Sequence, residues 1–178
     1  MKVLFTCLTF LFTLNVFSQT IVVVKDADLG ADTVSWTKDN VYHLDGYVIL
    51  ESGGLLNIEA GTVIKGLATP STGDISSALI IARGAKINAR GTADQPIIFT
   101  AEFDDVTDPS DLTKNDRGLW GGVLILGSGI VCVNTGPFNV QGIPSTEGRA
   151  EYGGTNNDDN SGVLKYVSIR HGGSKLEA

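Results

Sequence analysis

The sequence predicts an all-β fold of the right-handed parallel β-helix class, a solenoid of short strands, on the strength of one internal repeat. The segment YVILESGGLLNIEAGTVIKG begins at Tyr47, and ALIIARGAKINARGTADQPIIFTA begins at Ala78. Both run through an apolar strand, a glycine turn, an alternating strand, a Gly-Thr pair and a third strand. The Gly-Thr pairs at Gly61 and Gly91 lie about 30 residues apart, a period typical of stacked repeats. Three strands with turns between them outline one rung.

The composition agrees with this class. The chain has 178 residues, 22 of them glycine, and only 7% aromatic residues, which suits many tight corners around aliphatic stacks. The formal net charge is −7, and no basic stripe is visible along the sequence. Nucleic acid is therefore not a predicted partner, because its phosphates need clustered cations.

The first 18 residues have the pattern of an export signal. Lys2 precedes an apolar run from Val3 to Phe17, and Ser18 closes a cleavage pattern before Gln19. We therefore expect residues 1–18 to be a signal peptide and the mature protein to be exported, to the cell surface or the extracellular space. The run is too short for a membrane span, so none is expected after signal removal.

The remaining residues, 19–178, are predicted to form one β-helix domain. The first strands are expected at Thr20 to Lys25, Thr33 to Trp36, Val41 to Leu44 and Tyr47 to Leu50. After signal removal Cys132 is the single thiol, so no internal disulfide is expected. We expect it to be a small buried residue in a strand from Ile130 to Val133.

Alternation within the repeats predicts which side chains fill the solenoid. Residues at every second position point to the same side of a strand. The residues expected to point inward are Leu56, Ile58, Ala60, Ile87 and Ala89, and those expected to point outward are Asn57, Glu59, Lys86, Asn88 and Arg90. Ile125, in the third rung, is expected to be buried like Ile58 and Ile87.

Two long segments interrupt the repeats, at residues 102–117 and 134–162. The last rung opens at Val163 with one strand expected to reach Arg170, giving three to four rungs in all. The residues after Arg170 are too few for a cap. We therefore expect an incomplete N-terminal portion of a longer protein, with an open C-terminal end that associates end to end.

The ordered motifs LDGYVILESGG, LNIEAGTVIKG, ALIIARGAKINARGTADQPIIFTA, GLWGGVLILG and EYGGTNNDDNSGVLKYVSIRHGG carry a family resemblance. Together they resemble a group of exported right-handed parallel β-helix proteins of the Bacteroidota, many of them cargo of type IX secretion. The resemblance implies fold and export and supplies no catalytic residues. Members of that group usually continue past the His-Gly-Gly segment, and SGIVCVN differs from their usual sequence there.

The acidic segment 102–117 is the candidate metal site. Its carboxylates include Asp104, Asp105, Asp108 and Asp111, and Ca²⁺ takes six to eight oxygen ligands, often from such loops. Their spacing fits no calcium-loop template, so a solvated acidic loop without any cofactor is the alternative reading.

Trp120, Arg170 and His171 are the candidate ligand-binding residues. An exposed indole stacks on sugar rings, but the position of Trp120 between Gly118 and Gly121-Gly122 favours packing against the turn, with the glycines making room for it. Arg170 and His171 end a strand, where they would bind a glycan or serve a lyase as charge stabiliser and base. The alternative is that they are ordinary outward-facing residues at a strand end.

These observations favour a non-catalytic surface or secreted scaffold that binds a glycan or a cell-surface polymer in adhesion. The alternative, a fragment of a polysaccharide lyase or glycoside hydrolase acting on the outer face, rests on fold analogy alone.

Overall fold

The computed structural model describes residues 19–132 and 136–174, and these residues form a parallel β-helix. The strands are β1 (Thr20–Val24), β2 (Thr33–Trp36), β3 (Asn40–Leu44), β4 (Tyr47–Leu50), β5 (Leu55–Ile58), β6 (Val63–Gly66), β7 (Ala78–Ile81), β8 (Lys86–Arg90), β9 (Ile97–Ala101), β10 (Gly122–Ile125), β11 (Phe138–Asn139), β12 (Glu151–Tyr152), β13 (Gly162–Lys165) and β14 (Val167–Ile169). Two short 3₁₀ turns, Asp26–Asp28 and Gly148–Ala150, are the helical elements of the described residues.

The chain visits three parallel sheets in turn. The first sheet has the order β1-β3-β6-β9-β14, the second β4-β7-β10, and the third β2-β5-β8-β13. A bridge between Gly30 and Leu50 extends the second sheet toward the N-terminus. Each strand of these three sheets pairs in parallel with the strand one rung away, so identical positions of successive rungs stack in columns, while β11 and β12 form a separate antiparallel pair. The predicted fold class is confirmed.

Inward-facing apolar side chains form the core, as the alternation predicted. Leu56 pairs with Ile87 and Ile58 pairs with Ala89 in the register, and all four side chains are at most 4% exposed. Asn57 and Asn88, on the outer side of the same strands, are only half-buried. The period-two pattern is therefore in the correct register.

The prediction that Ile125 is buried is wrong. Ile125 pairs with the buried Ile81 and so lies on the inner side of β10, yet it is 39% exposed. Ile125 keeps an inward-facing position in the register, but β10 is at the edge of its sheet, and no described strand pairs with its other side. Leu164 and Ile169 share this situation at 42% and 50% exposed, opposite the buried Ala89 and Phe99. End-to-end association through this apolar surface stays a prediction.

Two strand assignments also need correction. The segment expected as one strand from Val163 to Arg170 is two strands, β13 and β14, which belong to different sheets. Tyr166 joins them with a φ of 49°, a left-handed conformation that turns the chain at the corner.

The second correction concerns the strand expected after Gly129. Residues 130–132 lie outside any regular strand, because the chain leaves the solenoid after β10, and Cys132 is exposed rather than buried. Val133 lies outside the described residues.

The expected signal peptide, residues 1–18, also lies outside the described residues. In the ranges that the structure describes, no helix has the length and apolar character needed to cross a membrane.

Candidate functional site

The outer face of the first sheet becomes polar toward its C-terminal rungs. In the register, Val23 stacks on His43, His43 on Lys65, and Lys65 on Thr100. Arg170 continues this column, because its amide donates to the Phe99 carbonyl at 2.9 Å. The parallel stacking therefore carries a charged side chain from the end of β14 onto the same face as Lys65.

The acidic segment after β9 folds back over this face and is fixed to it at Asp104. The Lys65 ammonium donates to the Asp104 carbonyl at 2.7 Å. The Thr100 hydroxyl donates to the Asp104 carboxylate at 2.5 Å, and Asp104 is only 3% exposed. The hydrogen bond from Thr100 therefore gives this buried side chain a polar partner.

Arg170 and His171 lie against this segment. An Arg170 Nη1 is 3.8 Å from the Asp104 carboxylate, while Arg170 Nε donates to the Ser168 hydroxyl at 3.0 Å. The Arg170 side chain remains 40% exposed. His171 has a φ of 56°, and its Nδ1 lies 2.5 Å from the Asp116 carbonyl oxygen. The acidic segment, which the sequence suggested as a metal site, and the Arg170-His171 pair, which it suggested as ligand-binding, therefore lie next to each other.

Between the segment and the strand end lies a cavity of about 480 Å³. This volume falls within the range typical of small-ligand pockets. It is lined by Asp104, Val106, Asp108, Pro109, Asp111, Leu112, Thr113, Lys114, Asp116, Arg117, Arg170 and His171. We call it the loop cleft.

The resolved pKa shifts in and beside the loop cleft all favour ionised carboxylates. The Ser110 hydroxyl and amide hold the pKa of Asp108 below its ordinary value, and the hydroxyl and amide of Thr107 do the same for Asp105. The amide and hydroxyl of Thr113 lower the pKa of Asp116, with a further contribution from His171. These groups are hydrogen-bond acceptors at neutral pH.

The four aspartates of the calcium prediction do not converge on one point. Asp104 faces Thr100, and the Asp108 carboxylate accepts from Ser110. The Asp111 carboxylate accepts from the Asp105 and Leu112 amides. Among residues 19–132 and 136–174, no group of three or more acidic, histidine or cysteine side chains is arranged to hold a metal. Calcium binding stays a prediction.

Trp120 is not an exposed sugar platform. It is 0% exposed, and its indole Nε1 donates to the Arg170 carbonyl at 2.8 Å. A Cβ at Gly66 would lie 2.6 Å from the ring atom Cε3, so the glycine that makes room for the ring is Gly66 on β6. The packing interpretation holds, and Trp120 acts on the site by holding the backbone of Arg170.

Sequence reasoning missed a charged network around Arg149, in the insertion between β10 and β13. Its guanidinium donates to Glu147 at 2.6 Å, to Asp26 at 2.8 Å and to Glu51 at 3.0 Å. The hydrogen bonds that Arg149 donates to Glu147, and then those to Asp26 and Glu51, raise the pKa of Arg149 above its ordinary value despite partial burial. The network fixes the insertion to the first two rungs, and its members are too far apart in sequence to form a motif.

The fold and the loop cleft define a parallel β-helix domain that carries a polar cleft on its outer face. Residues 29–178 match the family model described as a pectate-lyase-like β-helix domain, and the chain belongs to this family. No match was found among curated proteins or among solved structures. The family match confirms the β-helix part of the resemblance, while the Bacteroidota origin and the secretion route stay predictions.

Proposed function

We propose that the protein is an exported, non-catalytic β-helix scaffold that binds a glycan of a cell surface or extracellular polymer in the loop cleft. The observation that carries this proposal is the meeting of Arg170 and His171 with the acidic segment around one cavity of about 480 Å³. Surface adhesion is the role that such binding would serve.

The groups of the loop cleft suit the hydroxyl groups of sugars. A guanidinium offers several N–H donors in one plane, and carboxylates offer acceptors, so together they satisfy both sides of a hydroxyl. The charged groups lining the cleft are the carboxylates Asp104, Asp108, Asp111 and Asp116 and the cations Lys114, Arg117 and Arg170. Because the signs are nearly balanced, this cleft favours a neutral glycan over a polyanion.

Two carboxylates of the loop cleft are poorly suited to the acid step of glycoside hydrolysis. A carboxyl group that protonates a glycosidic oxygen needs a raised pKa. The pKa of Asp108 is instead lowered by Ser110, and the pKa of Asp116 by Thr113. The family description points toward polysaccharide ligands, which supports a glycan as the bound molecule.

The test is titration of the protein with neutral and acidic oligosaccharides by calorimetry. Arg170→Ala should weaken binding of the preferred glycan about tenfold, since loss of one charge-assisted hydrogen bond is worth about 1.5–3 kcal/mol before compensation by water. His171→Ala should weaken it less. Arg83→Ala is the matched control, because Arg83 also forms a partly exposed ion pair, with Glu151 at 2.7 Å, and does not line the cleft.

Turnover is measured in the same samples as reducing ends and as absorbance of unsaturated products. Product released by the wild type but not by Arg170→Ala would replace the scaffold proposal with the enzyme alternative. Equal losses of affinity in Arg83→Ala and Arg170→Ala would remove the loop cleft as the binding site. Export is tested separately, by the intact mass of the secreted protein, which should begin at or near Gln19.

A further inference from the structure

The outer face of the third sheet carries two stacked side-chain amides, Asn57 and Asn88, which we call the amide ladder. Ser35 pairs with Asn57, and Asn57 with Asn88, so these outward side chains stack along the solenoid axis. Asn88 Nδ2 donates to Asn57 Oδ1 at 3.0 Å. The acidic segment 102–117 follows β9 of the first sheet, and the insertion after β10 ends at β13 of this sheet, where the Ile87 amide donates to the Ser161 carbonyl at 3.0 Å. Asn57 and Asn88 are half-buried.

The same face collects positive charge in a protein whose net charge is −7. Lys86 and Arg90 stand at the two ends of β8, and Lys165 of β13 pairs with Arg90 in the register. All three side chains are exposed. Among the described residues, none of the three forms an ion pair with a carboxylate.

The acidic side chain nearest in register is Glu59, which follows Ile58, the partner of Ala89, and so lies beside Arg90. Its carboxylate forms an ion pair with Lys38 at 2.6 Å. The face therefore carries three cations beside one carboxylate that is already paired. Like charges on adjacent strands repel each other, so Arg90 beside Lys165 is unfavourable without a ligand.

Two contacts arrange these cations for binding. Arg90 Nε donates to Asn88 Oδ1 at 2.9 Å, which fixes the guanidinium to the amide ladder and leaves its terminal N–H groups for a ligand. The Lys165 ammonium lies 5.5 Å from the centre of the Tyr166 ring, and Tyr166 is 53% exposed. An exposed aromatic ring beside cations gives an apolar surface for a sugar ring.

We infer that the outer face of the third sheet, through Lys86, Arg90 and Lys165, binds a linear anionic glycan carrying carboxylate or sulfate groups. Arg90 and Lys165 are one strand spacing apart, about 4.8 Å, and Lys86 lies about 13 Å along β8. Such sparse cations match a polymer with separated charges, whereas nucleic acid carries one charge per about 1.7 Å of duplex. This site is independent of the loop cleft, which lies on another face.

The experiment uses the full chain and measures affinity by calorimetry for three oligosaccharides of equal length: neutral, carboxylated and sulfated. The wild type should bind at least one of the two anionic chains, with an affinity that falls as salt is raised. The triple variant Lys86→Gln, Arg90→Gln, Lys165→Gln should bind that chain at least about tenfold more weakly. The charge-preserving variant Lys86→Arg, Lys165→Arg, which keeps Arg90 and its bond to Asn88, should keep its affinity within about threefold.

The two anionic arms decide which acidic group is preferred, and either preference supports the inference. Equal affinity of the wild type and the glutamine variant for the anionic chain would overturn it. Tighter binding of a single-stranded oligonucleotide than of either anionic glycan would also overturn it. Arg170→Ala, which tests the loop cleft, should leave binding of the anionic chain unchanged, so failure of one site is distinguishable from failure of the other.

Discussion

Replacement of Trp120 by phenylalanine tests how the solenoid interior holds the loop cleft. The Trp120 indole donates to the Arg170 carbonyl at 2.8 Å, and the Leu119 amide donates to the His171 carbonyl at 2.9 Å. These contacts join the segment before β10 to the residues after β14. Trp120→Phe keeps an aromatic ring inside but removes the donor.

The expected cost has two parts. The Arg170 carbonyl loses its partner in a part-buried position, and the smaller ring leaves a void beside Gly66. Together these effects should lower the free energy of unfolding by about 2–4 kcal/mol. Glycan affinity at the loop cleft should fall as well, because the Arg170 and His171 backbone is less firmly held.

The measurement is urea denaturation of the wild type and the variant, together with calorimetry of glycan binding. Trp36→Phe is the matched control, since Trp36 is 3% exposed and stacks on Tyr42 with ring centroids 4.9 Å apart. It should lose stability but keep glycan affinity. An unfolding free energy of Trp120→Phe within about 0.5 kcal/mol of the wild type would refute the anchoring argument.

Two further predictions concern the core and the response to acid. Ile87→Asp should lower the free energy of unfolding by several kcal/mol in urea denaturation, because Ile87 is 1% exposed. Ile125→Asp should lower it by about 1 kcal/mol or less, because Ile125 is 39% exposed. Equal losses in the two variants would contradict the exposure of Ile125. Burial of Asp45 opposes ionisation, but hydrogen bonds from Ser71 and Lys25 outweigh it and hold the pKa of this carboxyl below its ordinary value. A lowered folded-state pKa stabilises the protein above about pH 4 and loses this effect as the pH falls further, so Asp45→Asn should be less stable at pH 7 and lose less stability on acidification. The measurement is the free energy of unfolding of the wild type and of Asp45→Asn as a function of pH, by denaturant titration. The same pH dependence in both proteins would contradict the role given to Asp45.

The buried positions of the repeats could be predicted from the sequence, because the alternation of apolar and polar residues is a local pattern. Alternation places Leu56, Ile58, Ile87 and Ala89 on one side of their strands, and stacking of equal rungs then buries them. Ile125 carries the same pattern and is exposed, because burial also requires a neighbouring rung. A periodic pattern predicts the direction of a side chain, and the tertiary neighbours decide its exposure.

Only separate parts of the loop cleft could be predicted from the sequence. The sequence singled out the acidic segment and the Arg170-His171 pair, but no local pattern showed that they face each other. The net charge of −7 concealed the positive outer face of the third sheet, because Lys165 is separated from Arg90 by two insertions. Long loops carry no periodicity from which their path can be predicted.

The sequence by itself therefore determined the β-helix class, the strands of the regular repeats and the inward columns, since these follow from short-range alternation and a fixed period. The tertiary structure decided the burial of Trp120, the Arg149 network, the loop cleft and the charged face of the third sheet. The physical reason is the parallel register, which brings together side chains from rungs and loops that are remote in the chain.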